Sequence, residues 1–541
     1  MKPIKKICLF LSLLMVFMAG CNLQPGSRIT RDQTDWWQDI VFYEIFVRSF
    51  KDSDGDGIGD FQGIIQQLDY LNDGDPDTQD DLGIGGIWLM PINPSPSYHG
   101  YDVTDYYTVN PDYGTMEDLK QLLDEAEKRG IKIIIDLVLN HTSTEHPWFQ
   151  ASRDPGSEYH DWYIWSETNP QIPGPWFQNA WHRDSSNGMY YYGIFWSGMP
   201  DLNFDNPAVS DEMMNISKFW LEEVGVDGFR VDAARYLFSD GIAQQDTQAT
   251  IAWFEEWREF YKAVNPVAFT VGEVWTDLQV TAKYADGMDS LFMFDLAEDI
   301  KNSIYAPNPS KIIKSYLDIL DYFPDGHFST FLSNHDQQRV MSFYTGDIPK
   351  AKLAAYLYLT GPGVPFIYYG EEIGMTGNKP DELLRTPMQW SSEQSGGFTE
   401  GTSWQPLNSD YVEVNVAQQD GAPDSLLNHY RDLTQIRNQH SVLRIGAYLP
   451  FTSTCRLVYP VLRVEGEQTI ILLANLGRQV LEDCTISIEE SPLSGQYEVE
   501  VLFGQGTFAP LSFGENGSLN EYALPEGIAP WEQFILSLNS R

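Results

Sequence analysis

The sequence predicts an α/β protein built on a (β/α)8 barrel, the TIM-barrel fold, with a subdomain inserted after the third strand and an antiparallel β-sandwich domain following the barrel. Three observations indicate this fold. Eight short apolar runs recur between residues 41 and 370, and segments with apolar residues at helical spacing lie between them. From residue 441 onward, short alternating segments separated by turn residues replace this rhythm. The 541-residue chain, 42% hydrophobic and 14% aromatic, is long enough for several packed domains.

Most of the apolar runs are bounded by Gly, Pro, Asn or Asp, as expected of buried strands. The runs are VFYEIFV (41–47), IGGIWLMPI (84–92), IKIIIDLVLN (131–140), VDGFRVD (226–232), AFTVGEV (268–274), LFMFDL (291–296), FSTFLSNHD (328–336) and GVPFIYYG (363–370). Helical segments such as MEDLKQLLDEAEKRG (116–130) alternate with them, which favours a parallel sheet, and eight repeats favour a closed barrel. A doubly wound open sheet is the alternative, but no GxGxxG pattern follows the first strand.

One interval interrupts the alternation of strands and helices. Residues 141–200 are rich in Trp, Tyr, Pro and Asn and are too long for a simple crossover, so they predict an inserted subdomain. We expect the barrel to comprise residues 35–140 and 201–440, and the C-terminal β domain to comprise residues 441–541.

The first residues have the pattern of an export signal. Residues 1–21 have a basic start, an apolar stretch and small residues before Cys21, which resembles a bacterial lipoprotein cleavage site with Cys21 as the lipidated residue. An ordinary secretory signal is the alternative. Residues 22–34 are polar and predict a tether, so we expect an exported protein that is held at a membrane only by a lipid anchor. Cys455 and Cys484 then remain, and the sequence allows either a disulfide or two buried thiols.

The charge balance excludes some partners. The formal net charge is -43, from 34 basic and 77 acidic side chains, and such a surface repels nucleic acid and anionic membranes. It is compatible with a neutral ligand. We expect a monomer that does not bind nucleic acid.

Polar residues end several of the predicted strands, where a barrel of this type carries its chemistry. These residues are Asp136, Asn140, His141, Arg230, Asp232, Glu273, Asn334, His335 and Asp336. Any one of them can be a cap or an ion-pair partner, but several carboxyl groups converging on one barrel mouth indicate a site, because a carboxylate in an apolar strand is costly to bury unless it is paired. Three carboxyl groups suit glycosidic cleavage with a nucleophile, an acid and a group that stabilises the transition state.

The stretch DSDGDGIGD (52–60) predicts a cation site after the first strand. Asp52, Asp54, Asp56 and Asp60, with the carbonyl of Ile58, can surround one hard cation with oxygens. An EF-hand is excluded because the twelfth residue of the loop is a glycine instead of the closing glutamate. A solvated acidic turn is the alternative, although four neighbouring carboxylates repel one another without a cation.

Four ordered segments carry a resemblance to a known family: DLVLNH (136–141), GFRVDAARY (228–236), VGEVW (271–275) and FLSNHD (331–336). They resemble the four sequence regions of the alpha-amylase family, glycoside hydrolase family 13, and MPDLN (199–203) resembles its fifth region. The resemblance covers the chain after the tether. It implies a (β/α)8 barrel, a subdomain inserted after the third strand and a C-terminal β domain.

The resemblance also implies roles for individual residues. Asp232 resembles the nucleophile, Glu273 the general acid/base and Asp336 the stabiliser of the transition state. The residues expected to contact the sugar at the cleaved bond are Tyr101, His99, His141, His335, Asp381 and Arg385. We expect Arg230 to lie beside Asp232 and to keep it ionised, because a fixed cation favours the charged form of its neighbour.

For the metal, the loop 52–60 resembles the calcium site of oligo-1,6-glucosidase-like members, so we expect a structural Ca2+ remote from the cleaved bond. Many alpha-amylases hold another calcium between barrel and subdomain, where Asn140, Asp201 and the carbonyl of residue 236 would match. Tyr236 stands where those enzymes have His, which puts that second site in doubt.

The resemblance points to a retaining hydrolase of internal α-1,4 bonds in starch, glycogen and maltooligosaccharides. Ala233 resembles alpha-amylases, whereas MPDLN is intermediate between amylases and the oligoglucosidase and neopullulanase groups. An oligo-α-glucosidase or neopullulanase-like hydrolase, or a 4-α-glucanotransferase, is the alternative. A non-catalytic glucan-binding surface lipoprotein is the hypothesis from a different class, and it is disfavoured because all three catalytic carboxyl residues are present.

Overall fold

A computed structural model describes residues 35–76, 78–240 and 242–541. Cys21, the export signal and the predicted tether lie outside the described residues. Within them, eight parallel strands form one sheet, in which the neighbouring strands are, in order, residues 329–330, 364–368, 42–45, 86–89, 132–138, 228–232, 269–272 and 290–291. A parallel bridge between Phe292 and Ser329 joins the two outer strands, so that the sheet closes into a barrel. Together with the C-terminal antiparallel sheets described below, this confirms the predicted fold class.

The strands alternate with helices along the barrel, as the sequence pattern predicts. The strands, numbered in chain order, are β1 Phe42–Ile45, β2 Gly86–Leu89, β3 Lys132–Val138, β4 Trp165–Ser166, β5 Trp181–Arg183, β6 Tyr190–Tyr192, β7 Gly228–Asp232, β8 Phe269–Gly272, β9 Ser290–Leu291, β10 Ser329–Thr330, β11 Val364–Tyr368, β12 Ala447–Pro450, β13 Thr452–Ser453, β14 Val458–Glu465, β15 Gln468–Asn475, β16 Thr485–Ile488, β17 Gly495–Phe503, β18 Leu511–Phe513, β19 Leu519–Ala523 and β20 Gln533–Ser540.

The α-helices include several single turns beside the long helices of the barrel wall. They are α1 Val47–Phe50, α2 Phe61–Gln66, α3 Leu68–Leu71, α4 Met116–Lys128, α5 Pro147–Ser152, α6 Pro207–Lys218, α7 Gln248–Val264, α8 Leu278–Thr281, α9 Phe294–Tyr305, α10 Pro309–Tyr322, α11 Val340–Phe343, α12 Ile348–Leu359, α13 Val416–Asp420, α14 Leu426–Gln439 and α15 Ser441–Ile445. A π-helical stretch, Phe219–Val224, extends α6. None of the described helices is long and apolar enough to cross a membrane.

Two predicted strands are much shorter than their apolar runs. The run 291–296 contributes only its first residue to β9, Ser290–Leu291, and the run 328–336 contributes only the two residues of β10. The first run stops pairing because Phe294 already begins α9. Its aromatic residues pack inside the barrel instead, where Phe292 and Phe294 contact Phe331 with ring centroids 5.5 and 5.0 Å apart.

The register of the barrel determines which polar residues meet. In the pairing of β3 with β7, Asp136 lies directly opposite Arg230. Side chains alternate in direction along a strand, so Arg230 and Asp232 project on the same side. Residues 141–200 contain the small antiparallel sheet β4-β6-β5, and its packing includes the rings of Phe149, Trp165 and Tyr191.

After α15 the chain forms two antiparallel sheets. One has the order β12-β14-β15-β20-β17-β18 and the other the order β13-β16-β19. Cys455 and Cys484 are joined by a disulfide with their Cα atoms 5.4 Å apart, which decides between the two states that the sequence allowed. The sheets are fastened to the barrel by the buried Tyr356 of α12, whose hydroxyl donates to the carbonyl of Phe534 at 2.7 Å.

Candidate active site

Polar residues from four barrel strands converge on one cavity at the carboxyl ends of the strands. Asp136 lies on β3, Arg230 and Asp232 lie on β7, Glu273 directly follows β8, and Asp336 follows β10. The cavity has a volume of about 510 Å3, and its lining includes Asp232, Glu273 and Asp336. The three predicted catalytic carboxyl groups therefore face the same space. Parallel strands of a barrel place their ends at one face, which explains this convergence.

Arg230 is the centre of the site. Its guanidinium is 1% exposed and donates to Asp136 Oδ1 at 2.7 Å, to Asp232 Oδ1 at 2.8 Å and to Glu273 Oε2 at 2.5 Å. The guanidinium carbon also lies 5.0 Å from the ring centroid of Trp88, which backs it from inside the barrel. One cation thus holds three carboxyl groups that come from three different strands.

The charge balance around Arg230 modifies the expectation for Asp232. Burial raises the pKa of Asp232 well above its usual range; Arg230 opposes this, and the neighbouring carboxyl groups of Glu273 and Asp136 add to it. Burial likewise raises the pKa of Asp136. Arg230 thus lies beside Asp232 and favours its ionised form, as expected, but it is shared among three acids, and burial with the other two carboxyl groups acts against it.

The backbone after Asp232 is in an uncommon conformation. Ala233 has φ of 48°, in the left-handed region that non-glycine residues rarely adopt. Its N–H is directed at Glu273 Oε2, 3.4 Å away. Such strain costs on the order of 1–3 kcal/mol and is concentrated at functional sites.

Asp336 lies between two cations. Arg385 donates to its Oδ1 at 2.8 Å, and His335 Nε2 lies 3.3 Å from its Oδ2. Burial alone would raise the pKa of Asp336, but the charges of His335 and Arg385 outweigh burial and lower that pKa well below its usual range. Asp336 is thus held ionised, unlike Asp232. The pKa values of Asp232 and Asp336 differ because the two carboxyl groups have different partners.

His335 is fully buried between acidic partners. Its Nδ1 lies 2.6 Å from Glu44 Oε1 on β1, and its Nε2 lies 2.7 Å from the hydroxyl of Tyr101. Burial alone would lower the pKa of His335, but the charges of Asp336 and Glu44 outweigh burial and raise the pKa to about 9. The Tyr101 ring stacks on His335 with centroids 5.5 Å apart and also lines the cavity.

The other two predicted histidines differ from His335. Burial lowers the pKa of His141 to about 3, so its ring is neutral, and its Nε2 has no hydrogen-bond partner among the described residues. Burial also lowers the pKa of His99, whose Nδ1 accepts the N–H of Tyr101 at 3.1 Å. Both rings line the cavity, where the free nitrogen of His141 is available to a sugar hydroxyl.

Asp381 lies at the rim of the cavity. Its side chain is 37% exposed, forms an ion pair with Lys379 and approaches Arg385 to 3.9 Å. Arg385, in contrast, is buried and donates through Nε to the carbonyl of His335 at 3.0 Å. The predicted catalytic and sugar-contacting residues are therefore all brought to one cavity or to its immediate wall, whereas the predicted metal-binding loop lies elsewhere.

Several residues of the cavity were not identified from the sequence. Three tryptophans line it: Trp176 is 53% exposed, and Trp196 and Trp275 are each 49% exposed. Trp275 stacks on Phe294 with centroids 4.7 Å apart. Its position two residues after Glu273 was a usable signal, whereas Trp176 lies in an irregular segment that carries none. Flat exposed aromatic rings around a polar centre suit the C–H faces of sugars.

The acidic loop after β1 gathers three of its carboxyl groups. Asp52, Asp54 and Asp60 each offer one oxygen, and these oxygens lie within 4.8 Å of one another. Calcium–oxygen bonds of about 2.3–2.6 Å place ligand oxygens at up to roughly this separation, so the three fit a calcium ion. Asp56 lies outside this group. Asp52 also accepts N–H bonds from Gly55 at 2.7 Å and Gly57 at 2.8 Å, which shape the loop.

The region of the second candidate calcium has another arrangement. Burial raises the pKa of Asp201 to about 7, and its Oδ2 has no partner among the described residues. Oδ1 accepts the N–H of Ile194 at 3.0 Å. Within the part of the chain that is described, no cluster of three His, Cys or acidic side chains surrounds Asp201.

Comparisons with known proteins agree with this geometry. The family described as "Alpha amylase, catalytic domain" matches residues 44–446. Alpha-amylase 3 of Dictyoglomus thermophilum is 40% identical over 484 residues, covering 88% of this chain and 90% of that protein. Oligo-1,6-glucosidase of Parageobacillus thermoglucosidasius is 33% identical over 547 residues, covering 86% of this chain and 95% of that protein.

A solved structure is similar along nearly the whole chain. The alpha-amylase from H. orenii has a TM-score of 0.80 and 42% sequence identity, covering 92% of this chain and 99% of that one. The family match and these relatives confirm the resemblance that the four sequence regions indicate. The chain therefore belongs to the alpha-amylase family of glycoside hydrolases and is an enzyme of the glycosidase type.

Proposed function

We propose that the protein is an alpha-amylase, a retaining hydrolase that cleaves internal α-1,4 bonds of starch, glycogen and maltooligosaccharides. The observation that carries this proposal is that Asp232 and Glu273 bind the two terminal nitrogens of one guanidinium. Carboxyl groups held in this way are close together. Retaining glycosidases need a separation of about 5–5.5 Å, whereas inverting enzymes need about 6.5–9.5 Å to admit a water molecule.

In the first step, an oxygen of Asp232 attacks the anomeric carbon and Glu273 transfers its proton to the leaving glycosidic oxygen. The bond to the departing chain breaks, and a glycosyl ester of Asp232 forms. Glu273 must carry a proton when this step begins, and Asp232 must be ionised. Contact with Arg230 at 2.8 Å favours the ionised form of Asp232.

In the second step, Glu273 acts as a base and removes a proton from water, whose oxygen attacks the same carbon and releases Asp232. Asp336, held ionised by His335 and Arg385, stabilises the positive charge that develops on the sugar in both steps. Tyr101, His99, His141 and Asp381 complete the subsite for the cleaved sugar.

Action inside a chain is supported by aromatic rings on separate walls of the cavity. Trp176 lies on the side of the inserted subdomain, with its ring centroid 5.7 Å from that of Phe195, and Trp275 lies after β8. Rings on both sides can hold sugars beyond the cleaved one. Similarity to Alpha-amylase 3 at 40% identity also favours this activity. The similarity to oligo-1,6-glucosidases keeps an oligo-α-glucosidase as the second candidate.

The product distribution from maltoheptaose blocked at its non-reducing end separates the candidates, using protein without residues 1–21. We expect short blocked fragments, because an endo-acting enzyme does not need a free end. If the blocked substrate is inert while unblocked maltose or isomaltose is hydrolysed, the enzyme is an exo-acting oligo-α-glucosidase. Products longer than the substrate would identify a 4-α-glucanotransferase.

We also propose a structural Ca2+ in the loop after β1, held by Asp52, Asp54 and Asp60. The carbonyl of Ile58 and the carboxylate of Asp56 complete the predicted set and stay predictions. The ion would neutralise the loop and tie α2 to β1, since Asp60 caps α2 by accepting the N–H of Gly63 at 2.7 Å. It takes no part in bond cleavage.

For localisation, we propose an exported lipoprotein modified at Cys21, so that products form at the cell surface. Residues 1–21 support this proposal by their basic start and apolar stretch. A Cys21→Ser variant is expected to leave the membrane fraction. Unchanged membrane association of that variant would contradict lipid attachment.

A further inference from the structure

A chain of hydrogen bonds crosses the barrel mouth from β1 to β7. Glu44 Oε1 lies 2.6 Å from His335 Nδ1, and His335 Nε2 lies 2.7 Å from the Tyr101 hydroxyl. That hydroxyl lies 3.1 Å from Asp136 Oδ2, and Asp136 Oδ1 accepts from Arg230 at 2.7 Å. The chain ends at Arg230, the residue that holds the two proposed catalytic acids.

The acceptors along this chain determine where the hydrogens lie. Glu44 offers only acceptor oxygens when ionised, so His335 Nδ1 must carry a hydrogen. The other nitrogen, Nε2, faces the carboxylate of Asp336 at 3.3 Å, where a lone pair would be repelled. If Nε2 also carries a hydrogen, the single hydrogen of Tyr101 is free to be donated to Asp136. A doubly protonated His335 therefore satisfies every partner, whereas a neutral ring leaves an unfavourable contact with Asp336.

We propose that Glu44 is a positioning residue that keeps His335 doubly protonated, so that the Nε2–H of His335 holds Tyr101 and Asp336, which line the cavity, in place for the bound sugar. This inference rests on the proposed function. Glu44 is 2% exposed and does not line the cavity, so it acts only through His335. A carboxylate in an apolar strand is costly to bury unless it is paired, and His335 is that pair.

The charged and titratable groups around His335 come from several elements. Three of these groups lie in loops: Asp336 directly follows His335, Tyr101 follows β2 and Arg385 follows β11. The other two lie on strands, Asp136 on β3 and Arg230 on β7. The charge of Arg385 disfavours a protonated His335 ring, but Arg385 donates through Nε to the carbonyl of His335 and through Nη2 to Asp336. Among the described contacts, Glu44 is the partner that holds Nδ1.

The test compares Glu44→Gln with Glu44→Asp and with a matched control, Glu372→Gln. Glu372 is also a buried glutamate and accepts a hydrogen bond from Tyr43 of β1 at 2.8 Å, but Glu372 has no hydrogen bond or ion pair with His335 among the described residues. In protein labelled with 15N-histidine, we expect the imidazolium signals of His335 at pH 7.5 in the wild type, in Glu44→Asp and in Glu372→Gln. In Glu44→Gln we expect His335 to lose its proton at a pH about 1–3 units lower than in the wild type, because a nearby opposite charge accounts for a pKa difference of this size.

Kinetics give a second readout. The ratio of kcat/KM between Glu44→Gln and wild type is expected to be about tenfold lower at pH 8 than at pH 5, where His335 is protonated in both proteins, and the loss is expected mainly in KM. A general loss of folded protein would lower kcat equally at both pH values. A neutral His335 in the wild type, or an unchanged His335 in Glu44→Gln, would overturn the proposal. The NMR readout needs no turnover, so a failure of the proposed activity is recognised separately.

Discussion

Replacing Asp54 by alanine tests the proposed calcium loop against a matched control within the same loop. Asp54 and Asp56 are both exposed, and each accepts one backbone N–H, from Asp56 at 3.1 Å and from Ile58 at 2.8 Å. Only Asp54 belongs to the group of three carboxyl oxygens that lie within 4.8 Å. Asp54→Ala therefore removes a proposed ligand, whereas Asp56→Ala removes a similar surface carboxylate from outside the group.

The expected stabilisation by calcium follows from the repulsion between the carboxylates and from mass action. Two carboxylates 4.8 Å apart repel each other by about 0.9 kcal/mol even at the dielectric constant of water, so three pairs contribute about 2.6 kcal/mol that a divalent cation relieves. Calcium at 100 times its Kd stabilises the folded protein by about 2.7 kcal/mol. If Asp54→Ala raises Kd a hundredfold, the same concentration stabilises the variant by only about 0.4 kcal/mol.

The assay is calorimetry on protein treated with a chelator. Titration with CaCl2 measures Kd, and scanning calorimetry with and without calcium measures the shift of the unfolding midpoint. We expect a clear shift in the wild type, little or none in Asp54→Ala, and a shift close to that of the wild type in Asp56→Ala. Equal losses in the two variants would refute the assignment of Asp54 over Asp56, and an absent shift in the wild type would refute the site.

Three further predictions concern the catalytic centre, the cavity walls and the C-terminal domain. Asp232→Ala is expected to lower kcat by about 10⁴-fold or more without lowering the unfolding midpoint at pH 7, because the raised pKa of Asp232 means that its ionised form costs stability there; appreciable residual turnover would mean another nucleophile. Trp176→Ala and Trp275→Ala are expected to raise KM for maltoheptaose about five- to tenfold and KM for maltose less, since each lost stacking contact is worth about 1 kcal/mol; equal effects on both substrates would exclude outer subsites. Replacing both Cys455 and Cys484 by serine is expected to destabilise the C-terminal domain by about 3.6 kcal/mol, the loop-closure value for a separation of 29 residues; an unchanged calorimetric transition would contradict this.

The barrel strands were predictable because each is a short apolar run between turn residues. The run 131–140 contains the observed β3, Lys132–Val138, and the run 363–370 contains β11, Val364–Tyr368. The lengths of β9 and β10 were not predictable, because aromatic residues such as Phe292 favour strands by propensity but pack as core side chains here. The local sequence pattern does not show whether an aromatic residue extends a strand or only packs in the core.

The candidate site was predictable where a family motif or a strand end marked it. Asp232 next to Arg230 followed from their spacing, but the sharing of Arg230 with Asp136 and Glu273 depends on cross-strand register, which the sequence does not show. Glu44 was overlooked inside VFYEIFV although it is the only charged residue of that run. A lone carboxylate in a buried strand was a usable signal for a buried cationic partner.

The central position of β20 affects how the chain can be made. β20, Gln533–Ser540, lies between β15 and β17, and its Phe534 carbonyl receives the hydroxyl of Tyr356 from α12. During synthesis, β15 and β17 therefore emerge with unpaired edges, and α12 lacks this partner until the nascent chain has grown past residue 540. Exposed edges of this kind promote aggregation. The barrel therefore gains this contact with the C-terminal sheet only late in synthesis, after the barrel strands themselves have been made.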